Sequence, residues 1–209
     1  MAAATPPGDT DIVPDWRQGL PTLRSPRCVL RELRMSDAAS LCALLTAEEV
    51  SQFISPPPTT VAGFERFIGW AARQRVAGSY ACFALTTNVD TAIGVFQVRG
   101  LDPGSTTTEW GFAIGSPGWG TGAFRDGARM AVDFVFVRLV AHRLEARSVA
   151  ENERSHRALL KLGAVPECVL RRSFKRDGEY FDQILYSILD SDWRTARALG
   201  ADEAPVRAN

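Results

Sequence analysis

The stretch "TEWGFAIGSPGWGTGAFRDGARMAVDFVF", residues 108–136, carries three patterns in succession. Its first part alternates. Glu109, Gly111 and Ala113 fall on one side of an extended chain, and Trp110, Phe112 and Ile114 on the other. Its last part has helical spacing, with Ala123, Gly127, Met130, Phe134 and Val137 as an apolar stripe. Arg125, Arg129 and Asp133 form a polar one. Between them lies "GWGTGA", residues 118–123, half of it glycine. The reading is strand, glycine loop, helix. The first N–H groups of a helix lack partners within it, and that end of its dipole is positive. Glycines ahead of it let several N–H groups converge and leave no side chain between backbone and ligand. That combination suits a phosphate. Taken alone, the loop is equally compatible with a connection that binds nothing. It is not a P-loop, because no Lys-Ser or Lys-Thr follows the glycines. Nor is it a dinucleotide fingerprint, because Phe124 and Arg125 stand where the third glycine would be.

Upstream, "RCVLREL" (27–33) reads as a strand. Ser36 can cap a helix, with Asp37 in its first turn and Leu41, Leu44 and Leu45 as its stripe. "SPPP" (55–58) breaks the chain before a second helix carrying Phe64, Phe67, Ile68 and Ala71. "YACFALT" (80–86) and "AIGVFQVR" (92–99) read as a hairpin around 88–90. Downstream, "HRLEARSV" (142–149) is a strand. Asn152 can cap a helix ending at Leu162, with Gly163 as its stop. A last hairpin turns at "RDG" (176–178), and "SDWRTARALG" adds a short helix. The pattern predicts an α+β fold, a mixed sheet with helices on its faces. The single domain spans 23–199, with flexible tails at 1–22 and 200–209.

The chain has 209 residues, 45% of them apolar, and Lys+Arg and Asp+Glu balance at 24 each. The neutral total argues against nucleic acid and membrane surfaces as partners. The start lacks a basic and an apolar region, so no secretory signal is read, and a cytoplasmic location is expected. Cys28, Cys42, Cys82 and Cys168 lie far apart, without a CxxC or a His/Cys cluster. They are expected to be buried free thiols, and no metal site is expected.

"PGWGTG" (117–122) resembles the acyl-CoA pyrophosphate loop of the GNAT acetyltransferases, [QR]-x-x-G-x-[GA], with Pro117 in place of Gln or Arg. "NERSHRALLKLGA" is similar to the later helix of that superfamily, with Asn152, Ser155, Lys161 and Gly163 in register. Leu159 stands where many relatives have Tyr, and Ala164 where they have Phe. With the closing hairpin, the order resembles the branch that acetylates ribosomal-protein N-termini, over about residues 25–190. The resemblance implies a twisted mixed sheet of about seven strands flanked by helices, splayed between 106–115 and 142–149. It implies acetyl-CoA as acyl donor, held by Phe112, Ile114, Gly118, Trp119, Gly120, Thr121, Gly122, Ala123, Asn152 and Ser155. A backbone N–H near Ile114 would polarise the thioester carbonyl. It further implies a homodimer, and an acceptor-side wall at 53–64.

The reaction so implied is direct attack by a primary amine, with no metal. An α-amine has a pKa of about 7.7–8.0 and a lysine about 10.4, so a lysine costs roughly 3.4 kcal/mol more to deprotonate. An N-terminal α-amine is therefore the favoured acceptor, with a small amine next. Glu109 is the candidate base; the alternative is a strand Glu paired with an Arg. Ser155 is the candidate partner of the leaving thiolate; the alternative is an ordinary first-turn Ser. The alternative for the whole chain is a non-catalytic CoA-binding sensor. A nucleotide-binding domain unrelated to CoA leaves Asn152 and Ser155 unexplained.

Overall fold

The computed structural model describes residues 15–87, 89–100, 104 and 106–198. Eight strands form one sheet in the order β1-β2-β3-β4-β5-β6-β8-β7. They are β1 (Leu23–Arg24), β2 (Val29–Glu32), β3 (Tyr80–Thr86), β4 (Ala92–Arg99), β5 (Thr107–Ile114), β6 (Arg143–Val149), β7 (Val165–Arg176) and β8 (Glu179–Leu189). Every neighbouring pair is antiparallel except β5 and β6. The helices are α1 (Ala38–Leu45), α2 (Glu48–Ser51), α3 (Val61–Val76), α4 (Ala123–Arg138), α5 (Glu153–Lys161) and α6 (Asp190–Ala198). The expected α+β class stands, with the two-residue β1 added to the seven strands read.

Both faces of the sheet are covered, so its central strands are apolar on alternate sides without being amphipathic. Ala81, Phe83 and Leu85 of β3 point into a core shared with α4, while Tyr80, Cys82 and Ala84 point into one shared with α1 and α3. Phe83 meets Phe134 of α4 edge to face. The buried face of α4 runs through Ala128, Ala131, Val132 and Val135. Its centre is rotated from the expected stripe, and Val137, expected in that stripe, is 55% exposed. Small alanines let the helix lie close on the sheet. At Gly127 an added Cβ would stand 2.8 Å from Phe96.

Other local expectations also shift. Ser36 does not cap α1. A 3-10 turn (Met35–Asp37) precedes that helix, and Asp37 accepts the Arg34 N–H at 2.8 Å. Asp37 is buried and paired at 2.8 Å with buried Arg31, so the pair is structural. Trp16 packs against the core and Leu20 is buried, so the domain begins before residue 23. Residues 1–14 and 200–209 of the expected tails, Leu199 at the end of the expected domain and Asn88 of the expected hairpin turn lie outside the described residues. Cys28 and Cys82 are buried as expected, but Cys168 on β7 is exposed, because β7 is an edge strand. The last hairpin turns at Asp177 and Gly178, both with positive φ, which matches the twist of its strands.

Candidate functional site

β5 and β6 run parallel but pair only from Thr107/Arg143 to Glu109/Glu145. Beyond that, β5 continues to Ile114 and β6 to Val149 without pairing to each other. The Gly115 N–H bonds the Ile93 carbonyl at 2.8 Å. In an antiparallel ladder alternate residues face alternate edges. The N–H and C=O of Ile114 and Phe112 therefore face the gap toward β6. This is the expected splay, and it opens into a cavity of about 1110 Å³.

The glycine loop forms one lip of this cavity. A 3-10 turn (Ser116–Gly118) leaves β5, and Pro117 sits in its first turn. Thr121 Oγ1 donates to the Gly118 carbonyl at 2.9 Å and accepts the Ala123 N–H at 3.2 Å. Gly120 and Gly122 have φ of +73° and +84°, the left-handed region that a side chain disfavours. A Cβ at Gly120 would meet nothing within 4 Å, so the loop is open on its cavity side. Arg27, which also lines the cavity, packs on Gly122 and pairs with Asp126 at 3.2 Å. The other lip is the start of α5. Asn152 Oδ1 accepts the Ser155 N–H at 3.1 Å, and Ser155 is buried at the cavity wall.

The cavity is lined by all but two of the residues singled out in the sequence. Ala123 is one exception. It is buried behind the loop, where its carbonyl accepts the Cys28 thiol at 3.4 Å. Glu109 is the other. It lies at the closed end of the splay, bonded to Arg99 across β4 and 4.0 Å from Arg147 of β6. Leu159 is fully buried in the core and does not reach the cavity, whereas Ser155, one turn earlier, does.

The cavity also shows what sequence reasoning missed. Its far wall is α2 and the residues after it: Glu49, Val50, Gln52, Phe53 and Ile54. Residues 55–64 do not line it, so the expected wall at 53–64 lies a turn upstream. Arg176, at the tip of the β7–β8 hairpin, donates to the Ser51 and Ile54 carbonyls and holds this wall. No periodicity marks a four-residue helix, so nothing in the sequence could have found it. Toward the glycine loop the charge is positive, from Arg125, Arg157 and Lys161. Glu151 and Glu153 stand at the start of α5. Among the described residues no three His, Cys, Asp or Glu side chains gather as a metal site. Likewise no helix among them is long and apolar enough to cross a membrane.

A paired-then-splayed sheet, an open glycine loop with cations beside it and a carbonyl edge make a slot for an extended, anionic-ended chain. Comparison with known proteins agrees. The family model described as an acetyltransferase (GNAT) domain matches residues 27–165. The N-acetyltransferase p20 of Bacillus licheniformis is 26% identical over 174 residues, covering 82% of this chain and 98% of the relative. Among solved structures, Mycobacterium smegmatis RimJ in complex with CoA-disulfide superposes with a TM-score of 0.74. It is 20% identical and covers 83% of this chain and 89% of its own. The ribosomal-protein-S5-alanine acetyltransferase of Vibrio fischeri gives 0.71 at 20% identity, covering 82% and 98%. At these identities the two structures establish a common fold.

Proposed function

The chain belongs to the GNAT acetyltransferases, and we propose that it moves an acetyl group from acetyl-CoA to a protein N-terminal α-amine by direct attack. The observation that carries this reading is the splay itself. Two parallel strands part after three residue pairs, and both lips of the gap are built from the glycine loop and the Asn152–Ser155 turn.

The residues present fit the donor. The open backbone at Gly120 and the cations Arg125, Arg157 and Lys161 suit a pyrophosphate. The gap-facing edge at Phe112 and Ile114 suits an amide-bearing arm, which bonds as a strand would. The Ile114 N–H serves as donor to the thioester carbonyl, whose oxygen gains charge as the amine attacks. The Ser155 hydroxyl bonds the sulfur as the C–S bond breaks, and the proton lost by the amine balances the thiolate. Glu109 does not line the cavity, so it can take that proton only through a water relay. An α-amine needs no stronger base, whereas a lysine would be penalised by about 3.4 kcal/mol. The names of the two fold relatives, a RimJ and an S5-alanine acetyltransferase, are consistent with a protein acceptor. The wall of Glu49, Phe53 and Ile54 offers a carboxylate for a cationic acceptor and apolar surface for its neighbouring side chain.

Calorimetric titration with acetyl-CoA tests the reading. The folded protein should bind at micromolar Kd, and a Gly120→Asp/Gly122→Asp variant should bind at least about a hundredfold more weakly, since carboxylates would fill and repel the phosphate site. Amine screening then starts with N-terminal peptides. No heat from a folded wild-type sample overturns the proposal.

A further inference from the structure

Trp119 bridges the two lips of the splay. Its indole N–H donates to the Ile114 carbonyl at 2.9 Å. That carbonyl faces the gap, because the Gly115 N–H bonds to the β4 side and the neighbouring residue Ile114 therefore bonds to the other edge. From the opposite lip, Arg154 lays its guanidinium over the indole, 3.4 Å from the ring centre. Trp119 belongs to the loop after β5 and Arg154 to the helix after β6, and both line the cavity. One hydrogen bond and one cation–π contact therefore tie the lips together across the mouth of the gap.

The bonding partner is the informative part. A carbonyl on a sheet edge needs a donor, and here the Trp119 indole supplies one. An extended chain entering the splay would bring its own amide N–H to the same oxygen. The indole N–H already occupies that oxygen, so the two donors compete for it. The contacts that hold the indole are weak enough to yield. An exposed cation–π contact is worth about a factor of two to five in equilibrium, and a net hydrogen bond is worth a similar factor.

We propose that Trp119 and Arg154 form a clasp across the mouth of the splay that the acyl donor opens by taking over the Ile114 carbonyl. The inference rests on the donor-binding reading above. Free donor then competes with the protein's own side chain for a backbone acceptor on the gap-facing edge of β5.

The test titrates coenzyme A into wild type, Trp119→Phe and Arg154→Gln, following heat and tryptophan emission in parallel, with circular dichroism as the folding control. The chain has five tryptophans, so the difference between wild type and W119F isolates Trp119. Wild-type emission should change along the calorimetric binding curve, and that change should be missing in W119F. Both variants should bind coenzyme A about two- to fivefold more tightly, since a competing contact has been removed. R154Q alters an exposed side chain and keeps the test sound if W119F misfolds. Heat without an emission change overturns the clasp and leaves the donor site standing. Weaker binding by both variants also overturns it, because the pair is then a wall of the donor site. Absence of heat from folded wild type overturns the donor site and the clasp together.

Discussion

Asn152 holds two positions at once. Its side-chain oxygen caps α5 through the Ser155 N–H, and its residue lines the cavity. A cap needs only an oxygen on a short side chain, so Ser serves as well as Asn, while Ala costs about 1 kcal/mol. An arm carrying a carbonyl needs the amide N–H₂, which Ser lacks. The expected outcome is that Asn152→Ser keeps the melting temperature within about 2 °C of wild type and weakens acetyl-CoA binding about tenfold, the scale of a lost hydrogen bond in a part-buried site. Asn152→Ala should lose both stability and affinity. If N152S binds as wild type does, the residue is a cap only. The Asn-Ser spacing was legible because capping is local chemistry within four residues. Glu109 was less so. Its sequence neighbours say which side of a strand it occupies, but its partners Arg99 and Arg147 come from flanking strands whose register no local pattern fixes. The fate of Leu159 was likewise hidden, since whether a helix position meets cavity or core depends on how the helix rotates onto the sheet.

At the scale of elements, the outer strands are joined by a charged network. Arg143 of β6 forks onto Glu167 of β7 and also reaches Glu145, at 2.8 Å. Ser187 of β8 donates to Glu167 at 2.6 Å. The Arg143 bonds, with the Ser187 bond behind them, hold the Glu167 carboxyl down to about 2. Its folded pKa is thus below the usual value near 4.5. The stabilisation is then complete above about pH 5 and is lost as pH falls toward 2. Glu167 is 36% exposed, so solvent screening reduces the effect to about 1 kcal/mol. Urea unfolding of wild type and Glu167→Gln at pH 7 and pH 3 checks it. Wild type should lose about 1 kcal/mol more than the variant between those values, and parallel pH curves would remove the role. The same scale explains what the sequence yielded and withheld. β3, β4, α3 and the β7–β8 hairpin are long enough for period to declare them. α2 spans four residues and α4 buries a face set by small alanines, so neither the α2 wall of the cavity nor the helix rotation follows from hydrophobic spacing.

Across the whole molecule, two packed faces and one open edge sort the cysteines. Cys82 lies on the central strand β3 in the core shared with α1 and α3, and burial pushes its thiol up to about 12. Cys28 is buried beside Ala123 at the root of the glycine loop, and burial raises its thiol too. Cys42, on α1, is half-buried, and Cys168 is exposed on β7 at the end of the sheet. The thiolate is the reactive form, so burial disfavours the two core thiols both by access and by their raised pKa, while Cys168 is accessible. With Ellman's reagent at pH 8, one thiol should react in a fast phase, and Cys168→Ser should abolish that phase. Cys42 should follow more slowly. Cys28 and Cys82 should wait for the sheet to open, at least about a thousandfold later for a domain of ordinary stability. Saturating coenzyme A should slow Cys28 further, because the thiol bonds the base of the loop proposed to hold the donor and ligand binding stabilises the folded form. Simultaneous release of all four thiols from native protein would mean that the sheet is not packed on both faces, and the splay would lose the rigid frame on which the proposed donor site depends.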